Sequence, residues 1–214
     1  MKRKIVSMAI VGASLIGWSS VTRGQGLYFD ANVGPSLADD VSVKQFIAPG
    51  QRGDIELDPG MRLSVAGGYN FNRYLGVQLE SGFIYNNIDK IGRNSADHAA
   101  LTHVPILADV VFRCEKGNIV PYIGVGAGGD VSAISFDEAR VGAARLDGTS
   151  ADVVFAWQAF AGARYKINET MSIGGGYKYF WADGASWDVR RSAQDIETKD
   201  AGVHSLGVDF NMKF

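Results

Sequence analysis

The chain has 214 residues, a formal net charge of −2 and 46% hydrophobic residues. That is room for one domain, and the mild charge, with no Lys/Arg cluster interleaved with aromatics, argues against nucleic-acid binding. Its one cysteine, Cys114, excludes an intramolecular disulfide, so an exported form must be held by its fold alone. Glycine outnumbers proline 27 to 5, which suits twisted strands better than helices, where each Gly costs about 1 kcal/mol relative to Ala.

At the N-terminus Lys2, Arg3 and Lys4 precede an apolar run from Ile5 to Trp18, short for a membrane-spanning helix and typical of a cleaved secretory signal. Small residues at Thr22 and Gly24 set the cut before Gln25, which predicts a signal peptide over 1–24 and one domain over 25–214. With no cysteine at the cut, no lipid anchor is expected. Past Trp18 no stretch is long and apolar enough for a transmembrane helix, so membrane insertion must use strands.

Eight segments of about ten residues then alternate in character, the period of a strand with two unlike faces. The first sets Leu27, Phe29, Ala31 and Val33 against Tyr28, Asp30 and Asn32. The second sets Met61, Leu63, Val65 and Tyr69 against Arg62, Ser64 and Ala66. In the third, Leu75, Val77, Leu79, Phe83 and Tyr85 oppose Gln78 and Glu80. The fourth opposes Val104, Ile106, Ala108, Val110 and Phe112 to Leu107, Asp109 and Val111, with Pro105 predicting a bulge. The fifth, Ile119 to Gly128, is glycine-rich and open in phase. The sixth runs Val153, Phe155, Trp157, Ala159, Ala161, Ala163 and Tyr165 against Gln158, Phe160 and Arg164. The seventh runs Met171, Ile173, Tyr177, Tyr179 and Trp181 against Ser172, Lys178 and Phe180. The eighth runs Leu206, Val208, Phe210, Met212 and Phe214 against Ser205, Asp209, Asn211 and Lys213.

Connections decide which face points out. Asn70–Arg73, Arg113–Asn118 and Lys166–Thr170 are short, whereas Pro35–Gly60, Asn86–Ala100, Gly129–Asp152 and Ala182–Gly202 are long and polar. Strict alternation of short and long is the pattern of an all-β, eight-stranded antiparallel up-and-down transmembrane barrel, with turns at one end and loops at the other. A soluble barrel has no reason to alternate in this way. About ten residues at roughly 3.3 Å each, tilted by about 45°, rise about 23 Å, close to the apolar band of such a barrel. Aromatics on the apolar faces form two girdles, Tyr69, Phe112, Tyr165 and Phe214 at the turn end and Phe83, Tyr85, Phe155, Tyr179 and Trp181 toward the loop end.

Taken together, the mature chain resembles the eight-stranded OmpA/OmpX-type outer-membrane barrels. The most specific part is the last strand, where Leu206, Val208, Phe210, Met212 and the terminal Phe214 look like the assembly signal read by the barrel assembly machinery; Pro121 to Gly128 looks like the family's glycine-rich strands. The resemblance implies residence in the cell outer membrane, among its lipid and lipopolysaccharide, and surface interaction or envelope support through the long loops. Because the chain stops at Phe214, a peptidoglycan-binding domain and cell-wall tethering are not expected.

With the apolar faces outward, Asp30, Glu80, Asp109 and Asp209 point inward beside Arg62, Arg164, Lys178 and Lys213, balancing in sign. An eight-stranded lumen is just wide enough for side chains to fill, and isolated buried ions cost several kcal/mol, so a plugged barrel with an internal ion-pair network is expected; a narrow polar pore is the alternative. Asp39, Asp40, Asp54, Glu56, Asp58, Asp137, Glu138, Asp147, Asp183 and Asp195 make the loops an acidic, solvated rim, with no calcium-loop spacing and room for an extracellular partner.

Some barrels of this type modify lipid A with a His and a Ser, yet adjacent His204 and Ser205 point to opposite faces and cannot act as base and nucleophile. His103, with Thr102 and Ser81 as its conceivable neighbours, and His98, in a loop, complete no triad. Three scattered His and one Cys make no metal site. No catalytic residue, metal or cofactor is expected.

Overall fold

A computed structural model describes residues 25–45, 53–91, 94–95, 99–141, 144–187 and 196–214. The signal-peptide span, His98 and Asp195 lie outside the described residues. Thirteen strands are found among the described residues: β1 (Gly26–Ala38), β2 (Val41–Gln45), β3 (Gly53–Leu57), β4 (Gly60–Asn70), β5 (Leu75–Ile91), β6 (Asn94–Ser95), β7 (Ala99–Arg113), β8 (Ile119–Val141), β9 (Ala144–Lys166), β10 (Met171–Ala182), β11 (Ser186–Trp187), β12 (Ile196–Thr198) and β13 (Ala201–Lys213). Eight of these, β1, β4, β5, β7, β8, β9, β10 and β13, pair antiparallel in chain order, and β1 closes on β13 with Tyr28 opposite Lys213 and Ala38 opposite Val203. Closure leaves no sheet edge in this ring.

All eight segments read from alternation lie in barrel strands, with the apolar face outward. Leu79, Ile106, Ile123, Leu206 and Val208 are exposed, while Asp30, Arg62, Glu80, Asp109 and Asp209 are buried. The phase left open in the fifth segment resolves with Val120 and Tyr122 inward and Ile119, Ile123 and Val125 outward. No bulge forms at Pro105. The register of β7 with both neighbours is unshifted, and the pairing with β5 is interrupted between Ser81–Ile106 and Ile84–His103, the stretch where proline lacks an N–H to donate.

Tight turns close the short-connection end. Asn72 Oδ1 accepts from the backbone N–H groups of Tyr74 and Leu75 at 2.7 and 2.9 Å. Asn168 Oδ1 does the same for Thr170 and Met171 at 2.9 and 2.7 Å, so two turns use one Asx device. The third contains Gly117 at φ 84°, in the left-handed region that favours glycine.

The long connections correct the sequence-based expectation. Their described residues are largely strand: β8 and β9 each run 23 residues, and at about 3.3 Å per residue and a tilt of about 45° they rise about 54 Å, twice the apolar band. Beyond the band, β2, β3, β11 and β12 form a further sheet in the order β11-β12-β2-β3 that joins the upper part of β5. This makes a second storey, in which the pattern inverts. Asn87, Asp89, Thr149 and Ala151 face out, whereas Val41, Ile55, Ile88, Ala99, Leu101, Ile134, Ala185, Trp187 and Ala201 form a buried apolar cluster. Each fully buried Val, Leu or Ile there contributes about 1.5–3 kcal/mol. Trp187 sits at its centre and donates from Nε1 to the carbonyl of Ser132 at 3.0 Å.

The acidic rim is correspondingly less free than expected. Glu56 pairs with Lys90 at 2.7 Å, Asp39 faces His204 at 3.6 Å, and Asp40, Asp58 and Asp183 are exposed. Trp187→Ala should cost the upper storey about 3–5 kcal/mol. Intact cells carrying it are expected to show faster cleavage of the loop-end strands by added protease, while the purified barrel keeps its heat-modifiable mobility on gels.

Candidate functional site

From the turn end upward, the lumen is filled in layers. At the mouth, a shallow recess open to solvent is lined by Arg113, Glu115, Arg164, Lys166 and Lys213 among others. Glu115, from the β7–β8 turn, takes an ion pair from Lys213 on β13 and another from Lys166 on β9 at 3.4 Å. Burial pushes the Glu115 carboxyl up, but the hydrogen bond and charge of Lys213, then those of Lys166, outweigh it and hold the group below its ordinary range. Arg113 lies over the Tyr28 ring at 4.7 Å.

One layer deeper, Arg164 pairs with Asp30 at 2.6 Å, and Asn211 Nδ2 donates to the same carboxylate at 3.2 Å. The Tyr122 hydroxyl donates to Asp209, which also accepts from Asn32 Nδ2 at 2.7 Å, and Arg164 stacks on Tyr122 at 4.2 Å. Glycines clear the space: a Cβ at Gly162 or Gly176 would collide with the Tyr122 hydroxyl.

The central layer is one connected network. Glu80 accepts from Arg62 at 3.0 Å and from Lys178 at 2.5 Å. Gln158 accepts from Arg62 at 2.6 Å and donates to Asp109 at 2.9 Å; Gln78 donates to the other Asp109 oxygen at 2.8 Å and accepts from the Tyr28 hydroxyl at 2.9 Å. Two carboxamides therefore tie Asp109 to the ion triad, with each amide using its donor and its acceptor ends.

Above the network the lining becomes largely apolar. Ile84, Leu107, Ala156, Phe180, Ala182 and Val203 form a fully buried apolar layer below the upper cluster. The Phe180 ring lies 5.9 Å from the Arg62 guanidinium and edge-on to His103 at 5.5 Å. His103 faces inward and pairs through Nδ1 with Asp130 at 2.6 Å.

All eight sequence-derived interior charges face the lumen, but in three groups rather than one. Arg62, Glu80, Asp109 and Lys178 are central, Asp30, Arg164 and Asp209 lie below them, and Lys213 belongs to the mouth. The sequence reading put Gln78 and Gln158 on the inward faces without a role and missed Tyr122 and Glu115, and it set His103 beside Thr102 and Ser81, whereas the partner is Asp130, which it had assigned to a loop. The signal was available in the alternation itself, since Asp130 continues the inward phase of Tyr122, Gly124 and Gly126. Leu206, Val208, Phe210 and Met212 form the outward face of β13, and Phe214, just past its end, is exposed. Ser205 is buried inward and His204 points outward, as their adjacency required. Among the described residues no three His, Cys, Asp or Glu side chains converge to hold a metal.

A family model described as the outer membrane protein beta-barrel domain matches residues 10–214. The chain belongs to that family. Its members sit in the cell outer membrane, which is therefore where this filled barrel resides, as an eight-stranded barrel of the OmpA/OmpX kind. Among solved structures it is similar to Neisserial surface protein A, at 15% identity and a TM-score of 0.56, covering 88% of this chain and 97% of that one. It is similar too to OprG from Pseudomonas aeruginosa, at 15% identity and a TM-score of 0.55 over 89% and 98% of the two chains. AlkL matches at 17% identity and a TM-score of 0.51 over 94% and 97%. At such identities the likeness is one of fold. No curated protein matches the chain. In barrels of this class the short turns face the periplasm and the long connections face outward.

Two outcomes follow from the lumen. Glu80→Ala leaves Arg62 and Lys178 facing each other without their shared carboxylate, and should destabilise the barrel by about 3–5 kcal/mol in urea titration. Because the folded-state pKa of Glu115 is lowered, its stabilisation is present above the unfolded-state value and is lost as pH falls through the folded one. Glu115→Gln should therefore be less stable than the parent at neutral pH, with the difference shrinking in acid when unfolding midpoints are compared across pH.

Proposed function

We propose that this outer-membrane barrel is a closed, non-enzymatic scaffold, which supports the envelope or surface interaction through its ordered loop-end storey rather than carrying solutes. The observation behind this reading is the apolar layer of Ile84, Leu107, Ala156, Phe180, Ala182 and Val203 across the lumen. An ion crossing there would shed its water against a largely apolar lining beside the mutually paired His103 and Asp130, at a cost of several kcal/mol. Below it, each buried carboxylate is held by a cation or by amides, so the central layer is a filled plug rather than a lined pore. The rigid second storey fits recognition, since binding residues concentrate on connections held by a stable scaffold, and the outward His204 and inward Ser205 fit the absence of a base and nucleophile pair.

Planar-bilayer recording with purified protein tests this. The parent is expected to give no steady conductance, and Phe180→Ala combined with Leu107→Ala is expected to introduce discrete openings. Steady, discrete conductance from the parent would make the protein a narrow channel instead.

A further inference from the structure

On the outer surface, where β9, β10 and β13 leave the apolar band, a polar relay lies on aromatic faces. Tyr177 and His204 Nδ1 are hydrogen-bonded at 2.6 Å, and His204 Nε2 faces Asp39 Oδ1 at 3.6 Å. A carboxylate only accepts, so the tautomer with its proton at Nε2 suits Asp39 and leaves Nδ1 to accept from the Tyr177 hydroxyl. Around the relay the rings form a continuous shelf: Tyr179 is 4.9 Å from His204, Trp157 is 5.6 Å from Tyr179, and Trp157 is 6.3 Å from Trp181. The His204 and Asp39 side chains remain 41% and 59% exposed, so their outward atoms are available.

Directly below, on the same face of β9 and β10, Ala159, Ala161, Ala163 and Gly175 leave a trough. A Cβ on Gly175 would meet nothing closer than the Gly207 carbonyl at 3.4 Å. The trough is flanked by Tyr177, Leu206 and Val208, which face lipid. The site thus has a polar and aromatic upper half at the height of the headgroups and a narrow apolar lower half at the height of the acyl chains. That is the outline of an amphiphile, and the upper half has a particular chemistry. It offers a carboxylate, an imidazole and a phenol beside aromatic faces, with no Lys or Arg in the relay itself. A phosphate would meet Asp39; sugar hydroxyls would donate to it while the ring stacks on Tyr179 or Trp157.

We propose that the Tyr177–His204–Asp39 relay and its aromatic shelf bind the sugar headgroup of an outer-leaflet glycolipid, with one acyl chain in the Ala159–Ala163 trough. The proposal rests on the outer-membrane placement and not on whether the lumen conducts.

Native mass spectrometry of the detergent-folded protein tests it, with a monoglycosyl diacylglycerol, whose headgroup is a bare sugar, as the probe and phosphatidylglycerol as the competitor. One glycolipid is expected to stay bound at detergent ratios that strip phosphatidylglycerol. Asp39→Ala and the pair Trp157→Ala with Tyr179→Ala should each lower the bound fraction at least tenfold. Phe112→Ala, at the opposite girdle, should leave it unchanged, and heat-modifiable mobility identifies variants that remain folded. If the pair fails to fold, Asp39→Asn, which keeps the shape and removes the charge, is expected to weaken retention on its own. Equal retention of the two lipids, or undiminished binding by a folded Asp39 variant, would overturn the proposal.

Discussion

Everything in this molecule depends on one constraint: inside a bilayer no backbone N–H or C=O can turn to water. Strands satisfy it only as a closed ring, and here the ring closes where β1 meets β13 along nearly its whole length. Closure then assigns the faces. With the circumference set by eight strands, the lumen is too narrow for bulk water and must be packed, while the outer face must be apolar. The charges of Asp30, Arg62, Glu80 and Lys178 can exist in that interior only because cations, amides and hydroxyls converge on each carboxylate.

The same alternation serves two environments in succession. Within the band a strand buries its polar residues and exposes its apolar ones; a few residues further along, the two faces exchange roles without a change of phase. On β7, Asp109 and Leu101 share the inward face, as do Glu80 and Ile88 on β5. The lower storey is thus an inside-out barrel and the upper one an ordinary hydrophobic core, with the layer around Phe180 as the joint. That joint also roots the loop-end strands in the barrel, since Ile84, Leu107 and Ala156 lie on strands that continue into the upper storey.

Much of this was legible in the sequence, and the failures have physical causes. Alternation exposed the strands because lipid demands an unbroken apolar face, and it placed Asp109 and Lys178 inward for the same reason. The fifth segment stayed ambiguous because Val120 and Tyr122 are apolar on the inward face while Gly124 and Gly126, which make room for Phe160 and Asp109, carry no polarity to read. The second storey was hidden because the inversion at the boundary interrupts the pattern: Leu101 and Ile134 look like breaks in an alternation that in fact continues. Partners were hidden for another reason. Charge type shows that Asp109 is inside, but only the register brings Gln78 and Gln158 to its two oxygens, and only the extended β8 brings Asp130 to His103.

The inversion is tested most directly by spin labels placed singly along β7, at Ala100, Thr102, Val104, Ile106, Ala108 and Val110 on the outward face and at Leu101 and Leu107 on the inward face, with collision rates measured for oxygen and for a water-soluble relaxing agent. Outward labels from Ile106 to Val110 should meet oxygen and those at Ala100 and Thr102 the aqueous agent, while both inward labels meet neither. Free access of the aqueous agent to Leu101 and Leu107 would mean a wet lumen running through both storeys, and would contradict the account.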